Sequence, residues 1–419
     1  MSVPILTQIF LNLLFYLQVG YFIMKIAMIL DATFPPDPRV ENEAIALIKA
    51  GHEVVLFSLR YAAENKYEII NDIHVHRYKS NKLEYKLSAL AYTVPFYTRL
   101  MAKKIERFIT DCLPDAIHIH DIRIAEAVFK VNKSANLPVV LDLHDNLPEV
   151  MKLYPHLQKF PGKYIISPKV WKKKEDEFIK KADKVVTVSP HFIKSLINRF
   201  PSLQSKFVLV PNTIDRSFYE NYIEEKSILD RYKNEFVILY LGDTHLRRGL
   251  QTAIQGAYEL NNQIPNLKLV IVGKNTTDNI LKKQVRDLDL ENIVDFEGWQ
   301  DVSLFPSYIL ASDICISPLH RNLQHDVAYA NKIFQYMSFG KPLLVSDATA
   351  QKELVETHQT GSVHKERDVS DFVSKVLDLY QNKSIRDELG KNGQDFVRKH
   401  YTWEKTSKAL LELYNQLNH

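Results

Sequence analysis

Asn331-Lys332-Ile333-Phe334-Gln335-Tyr336-Met337-Ser338-Phe339-Gly340-Lys341-Pro342-Leu343-Leu344-Val345-Ser346-Asp347 reads as a short helix, a glycine stop and a buried strand. Ile333 and Met337 lie four residues apart and so share the buried face of the helix. Lys332 and Gln335 lie three apart, and the spacing predicts a polar pair on one side. Gly340 suits the left-handed position that ends a helix, and Pro342 bars its continuation. An irregular loop from Leu319 to Ala330 precedes the helix.

Outward from that stretch, short apolar runs alternate with helical patterns, which predicts parallel sheets with crossover helices. The strands expected first are Ile26–Leu30, Glu53–Phe57, Ala116–Ile119, Val139–Leu143, Lys184–Val188 and Phe207–Val210. After a turn-rich break at Pro211–Asp215 and a polar stretch to Asn234, the alternation restarts. It gives Phe236–Leu241, Leu267–Val272, Ile293–Phe296, Ile314–Ser317 and Pro342–Val345. A chain of 419 residues exceeds one ordinary core, so two doubly wound α/β domains are expected. Their bounds are set at 25–215 and 216–400, and a last helix, Trp403–Leu417 within 401–419, can pack on either domain. Ligands of doubly wound sheets bind at the carboxyl ends of the strands, so a cleft between the two units is the expected site.

Residues 1–24 form a hydrophobic extension. Val3–Met24 has no charged side chain and approaches the length that spans a bilayer. Gln8, Asn12 and Gln18 dilute it, and the first core strand follows without a linker. A membrane anchor stands against an over-extended start, for which Met24 would begin the mature fold.

Composition excludes some classes. The 46% hydrophobic and 25% charged content are those of a folded globular chain. The net charge of +4 points to no particular partner, and none is expected among nucleic acids. Cys112 and Cys315 fall in different domains, so neither a disulfide framework nor a thiolate zinc site is expected; this fits the cytoplasm. Residues 77–107 carry eight Lys or Arg against Glu84 and Glu106, interleaved with Tyr78, Tyr85, Tyr92, Phe96 and Tyr97. Such a stretch suits peripheral contact with an anionic membrane, at the cytoplasmic face. The alternative is a solvated helix face whose tyrosines pack on the core.

Four segments carry chemistry. Gly242-Asp243-Thr244-His245-Leu246-Arg247-Arg248-Gly249-Leu250 follows a strand and opens a helix, a good place for a diphosphate because amides, dipole and guanidinium all attract anions. Asp115-Ala116-Ile117-His118-Ile119-His120-Asp121 ends a strand whose alternation puts His118 and His120 on one side; His118 reads as a core residue. Leu141-Asp142-Leu143-His144-Asp145-Asn146-Leu147-Pro148-Glu149 repeats that arrangement, although His144-Asp145 also suits a helix cap. Phe34-Pro35-Pro36-Asp37-Pro38-Arg39-Val40-Glu41 lacks the Gly-x-Gly-x-x-Gly of a nicotinamide site. Capping explains Asp37 and Pro38 but not Arg39, which is expected to face the cleft. No phosphate loop of the Gly-x4-Gly-Lys type and no metal-ligand spacing is present; Asp287-Leu288-Asp289 ends a polar helix.

Over roughly residues 25–417 these segments resemble glycosyltransferase family 4, a GT-B fold of two Rossmann-like domains facing a central cleft. The resemblance includes the hinge Val210-Pro211-Asn212-Thr213-Ile214-Asp215, where Thr213 replaces a glycine. It implies a retaining, metal-independent transfer of a sugar from a nucleotide donor to a hydroxyl acceptor. No cofactor is implied beyond the nucleotide sugar as co-substrate, and the product would be a cell-surface polysaccharide or lipid-linked glycan. The resemblance assigns His120, Arg248 and Lys332 to catalysis. It places Gly242, Gly249, Gly273, Trp299, Tyr329, Ala330, Asn331 and Gln335 at the donor, and Arg39, His144 and Asp145 at the acceptor. Three departures stand out: Asp243 occupies a basic position, Gln335 replaces a glutamate that holds ribose, and Val327 stands where its partner acid belongs, with Asp326 one residue off register. They keep two other readings open, a nucleotide-sugar 2-epimerase on the same fold and a non-catalytic partner subunit.

Overall fold

The computed structural model describes residues 23–154, 157, 159–160 and 162–417. The hydrophobic extension therefore lies almost entirely outside the described residues. The chain divides into two compact units. The first holds the residues up to Val188, Leu196–Val210 and the terminus from Ser407; the second holds Ser189–Ser195 and Pro211–Thr406. The division thus falls after Val210 rather than at 215, and the terminal segment that belongs to the first unit starts at Ser407. The last helix is two pieces, Trp403–Thr406 and Lys408–Gln416.

The first unit is built on an eight-stranded sheet. In chain order its strands are β1 (Lys25–Leu30), β2 (Glu53–Arg60), β3 (Tyr67–Ile70), β4 (Ile73–Lys79), β5 (Ala116–His120), β6 (Val139–Leu143), β7 (Lys184–Thr187) and β8 (Phe207–Leu209). Their order in the sheet is β3-β4-β2-β1-β5-β6-β7-β8, all parallel except the β3–β4 pair. The second unit orders β9 (Phe236–Leu241), β10 (Leu267–Val272), β11 (Val294–Gly298), β12 (Ile314–Ser317), β13 (Leu343–Ser346) and β14 (Gly361–His364) as β11-β10-β9-β12-β13-β14. Both sheets reverse direction of winding once, between β1 and β5 and between β9 and β12. A switch point of this kind opens a crevice at the carboxyl ends of its two strands.

The apolar runs are continuous because both faces of each sheet are covered. Along β9, Phe236, Ile238 and Tyr240 enter the core on one face, while Val237, Leu239 and Leu241 enter the core on the other. Sequence reading misses β3, β4 and β14. Ile73-His74-Val75-His76-Arg77-Tyr78-Lys79 has strand alternation with polar residues on one side, and Gly361–His364 has only one large apolar residue. This corrects the basic stretch at 77–107: Arg77 is the fifth residue of a strand. It is buried, donates to the carbonyls of Phe34 and Asn65, and pairs with Glu68 at 2.7 Å.

Candidate active site: two charged clusters at strand ends

In the first unit, the helix Pro38–Lys49 is capped by Asp37, which accepts from the Val40 amide at 3.2 Å. Its first turn carries Arg39 beneath the end of β6. Arg39 Nε and Nη2 donate to the two oxygens of Asp142 at 2.8 and 2.7 Å, and Nη1 donates to the Val210 carbonyl at 3.0 Å. Glu43, one turn on, lies 2.9 Å from Arg39 Nη2. The expectation that Arg39 reaches an acceptor is corrected here: its planar fork is buried and turned to Asp142, a bidentate geometry that leaves it an internal clamp.

Around Asp142 stand three imidazoles. His144 Nε2 lies 2.8 Å from Asp142 Oδ2 and 3.1 Å from His120 Nδ1. Burial opposes a charge on His144, but Asp142 and then Asp121 outweigh it and raise its pKa to about 10. His144 is therefore an imidazolium donating to Asp142. Burial lowers the pKa of His120, which is neutral and keeps Nε2 without a partner. His118 stacks on His120 with ring centres 4.6 Å apart, in keeping with the strand alternation. Its Nδ1 lies 2.8 Å from the Tyr414 hydroxyl, so the helix Lys408–Gln416 reaches into this cluster. Asp145 is exposed on the loop beyond. Sequence reading missed Glu43, although its spacing of four from Arg39 on one helix was a legible signal. It also missed Tyr414, for which no local signal exists.

Glu43, His118, His120 and Asp142 offer ligand atoms within 4.8 Å of one another. Arg39 already sits between the two carboxylates, so a dication there would stand against a fixed positive charge. Burial, helped by the charge of Asp142, raises the Glu43 pKa to about 8 against the lowering pull of Arg39, so it bears a proton at neutral pH. The donor set fits a metal poorly.

The second unit gathers charge at the switch point of β9 and β12. Gly242 follows β9 with φ 110°, and a 3₁₀ turn, Leu246–Arg248, leads through Gly249 into the helix Leu250–Leu260. Two of the glycines assigned to the donor answer first to the backbone. A Cβ on Gly249 would lie 1.7 Å from the Pro318 carbonyl oxygen, and one on Gly273 would lie 1.9 Å from that of Gly242. In both cases the close approach is to backbone elsewhere in the same unit.

Lys332 opens the helix Lys332–Ser338, but it forms no pair with Gln335 on a polar side. Its side chain turns inward to 8% exposure, with Nζ 3.4 Å from the centre of the Tyr240 ring and no hydrogen-bond acceptor. A Cβ on Gly242 would stand 3.4 Å from that nitrogen. Burial, and then the charge of Arg248, push the Lys332 pKa well down. Arg248 Nε lies 3.3 Å from Asp243 Oδ2, and Arg247 Nη2 lies 3.4 Å from the same oxygen. Asp243 also accepts from the Asn275 side chain at 2.7 Å. Arg248 and Lys332 thus converge on one spot, where one carboxylate faces three basic side chains. Asn331 precedes the helix without a side-chain cap; Tyr329 and Ala330 are half-buried on the loop before it, and Gln335 is half-buried one turn on. Trp299 is 72% exposed beyond β11. Asp326 is spent on structure: it caps Thr349 at 2.9 Å and pairs with Arg321 at 3.2 Å.

Two family models match in tandem, Glycosyltransferase Family 4 over residues 39–218 and Glycosyl transferases group 1 over residues 221–396. The chain belongs to glycosyltransferase family 4. This family 4 chain has the GT-B fold, and its enzyme class is glycosyl transfer. It is 22% identical to spore coat protein SA of Bacillus subtilis, over 94% of this chain and all of that one. It is also 22% identical to an uncharacterized glycosyltransferase of Methanocaldococcus jannaschii, over 57% of this chain and 59% of that one. Among solved structures, sucrose-phosphate synthase from Thermosynechococcus elongatus superposes with TM-score 0.77 at 18% identity, covering 94% of this chain and 99% of that one. HepE of Anabaena, solved in complex with UDP-glucose, superposes with TM-score 0.68 at 15% identity, covering 94% and 99%.

Proposed function

We propose that the second unit binds the diphosphate of a nucleotide sugar and that the chain transfers the sugar, with retention and without a metal, to a hydroxyl of a glycan or lipid-linked acceptor. The observation that carries this reading is Lys332: a buried amine with no acceptor, beside Gly242 and Arg248. A buried cation is costly unless an anion meets it. A diphosphate leaving group gathers negative charge as its bond to the sugar breaks, and fixed cations placed there lower the barrier. His120, with Nε2 unpartnered, would hold the sugar or acceptor, and His144 with Asp142 fixes its ring. The leaving phosphate itself would take the acceptor proton, so no protein nucleophile is required. Trp299 would stack on the base and Gln335 would bond the ribose, an amide serving where a carboxylate is more usual. Relatives named for a spore coat and for glycogen synthesis support an acceptor in polysaccharide assembly. A lipid-linked acceptor would bring the chain to the cytoplasmic face of a bilayer, with peripheral contact within residues 77–107. Among the described residues, no helix is long and apolar enough to cross a membrane.

The test is turnover of a nucleotide-sugar panel against short glycan and polyprenyl-phosphate-linked acceptors, with and without chelator, the product anomer being read by NMR. Transfer with retention, undiminished by chelator, is expected; an inverted anomer, or activity lost to chelator, contradicts the reading. Asp243 favours a second reading, a partner subunit with weakened donor binding, because its carboxylate occupies the guanidinium of Arg248. Absence of transfer and hydrolysis across that panel, with nucleotide binding intact, would select it.

A further inference from the structure

A cavity of about 460 Å³ lies in the second unit over the first turn of the helix Leu250–Leu260, and its polar lining is Arg247, Gln251, Thr252, His320 and Arg367. Lys332, Arg248 and Asp243 take no part in that lining. Three segments build it. The turn Leu246–Arg248 and the helix start supply Arg247, Gln251 and Thr252; the loop after β12 supplies His320; the loop between β14 and the helix Val369–Gln381 supplies Arg367. The His320 amide donates to the Arg247 carbonyl at 3.0 Å, which pins the second segment to the first.

The cavity carries positive charge and no carboxylate lines it. The acids beside Arg367 in the chain are committed elsewhere: Glu366 accepts from the Arg321 amide, and Asp368 caps its helix, accepting from the Asp371 amide at 3.0 Å. Burial, and then the charge of Arg367, lower the pKa of His320. Two further features call for an acceptor. The helix Leu250–Leu260 has no side-chain cap, so the Leu250 and Gln251 amides have no acceptor among the described residues. Open amides at a helix start attract anions. Thr252, in the same turn, is only 5% exposed, yet its hydroxyl makes no hydrogen bond among the described residues. A buried hydroxyl without a partner is costly. Because Thr252 lines the cavity, a ligand there can supply the missing bond.

We infer that this cavity is a second anion site of the chain, taking a phosphate dianion, either free or as the monoester of a small sugar. One phosphate oxygen accepts from the Thr252 hydroxyl and the helix start, and the guanidinium of Arg367 faces the charge. Donors from three segments suit a tetrahedral anion, which presents oxygens on several sides; a carboxylate presents two in one plane. The volume leaves room beside the phosphate for a group of sugar size. This site stands apart from the donor cluster proposed above, and its binding is read without nucleotide or turnover, so either can fail alone.

The experiment is equilibrium dialysis of the full chain against radiolabelled inorganic phosphate and, separately, ribose 5-phosphate. Binding of at least one probe is expected, and the tighter of the two names the source of the phosphate. Lys332→Met, which alters the other anion cluster, should keep this binding. Arg367→Glu/Gln251→Glu is expected to weaken it about 30-fold. Thr252→Val is expected to weaken it about fivefold, and Thr252→Ser, which keeps the hydroxyl, to restore it. Thermal melting shows that each variant is folded. No binding of either probe overturns the inference. Equal binding by the parent and Arg367→Glu/Gln251→Glu also overturns it. So does binding that Lys332→Met abolishes and the cavity variants retain, since the phosphate would then sit in the donor cluster.

Discussion

The two units place charged side chains at the same topological position, the carboxyl ends of strands beside a switch point, yet they treat the charge in opposite ways. In the first unit the ions satisfy one another: Arg39 closes on Asp142, His144 adds a second cation, and Glu43 keeps its proton. In the second, Lys332 is buried without an acceptor, and one carboxylate, Asp243, faces it together with two arginines. A closed network serves as a scaffold and holds a histidine ring in place. An open one is incomplete until an anion arrives. The same architecture thus carries a mutually paired cluster in one unit and an unmatched buried amine in the other, and the difference lies in which groups have partners.

The comparison breaks most visibly if Asp142 is removed. Asp142→Ala strands Arg39 and His144 as buried cations and is expected to cost about 3–5 kcal/mol in urea unfolding; a loss near zero would mean the cluster is not a closed network. Next in size is Arg248→Ala, in the open cluster. It should leave the melting temperature near that of the parent while lowering transfer by about 100- to 1000-fold, as loss of a charge-stabilising donor does. Unchanged turnover would remove Arg248 from the leaving group's surroundings.

The closed cluster also has a pH signature. Glu43 holds its proton up to about 8 when folded but only to the ordinary 4.5 when unfolded, so stability falls as pH rises between those values. His144 is charged up to about 10 when folded and 6.5 when unfolded; its contribution is complete below 6.5 and is lost as pH rises to about 10. Both act in one direction. Glu43→Gln is expected to flatten the first fall, by on the order of 3 kcal/mol between pH 5 and 8, measured by denaturant titration at each pH. A slope that survives the substitution would place the titrating group elsewhere.

Much of this contrast was legible in the residues, and the illegible part has physical causes. Continuous apolar runs announced the parallel strands because both faces of each sheet are buried, and Asp37-Pro38 announced a helix start. The strands β3 and β4 were hidden because a half-polar, partly exposed pair lacks that signal. The segment Gly242–Leu250 marked the passage from a strand into a helix, but nothing local showed that Gly249 lies against the Pro318 carbonyl. Lys332 was singled out correctly as a basic residue at a helix start. Its inward turn onto Tyr240 was not readable, since that contact joins residues 92 positions apart in the chain. Arg39 was misread for a similar reason: its partner Asp142 is 103 residues away. Sequence spacing reports what one element presents; which charges cancel is settled between elements.

The central claim is that the second unit is short of an anion and that Lys332 is where the deficit lies. The direct measurement is calorimetry of the full chain and of Lys332→Met, using whichever of uridine, guanosine, adenosine or thymidine diphosphate binds the parent best, in two buffers of different ionisation enthalpy. Burial holds the Lys332 pKa low in the empty site, so the parent should take up a proton as the diphosphate binds. Lys332→Met should lose that uptake and about 30-fold or more in affinity. Equal affinity and equal proton uptake in the two proteins would contradict the account.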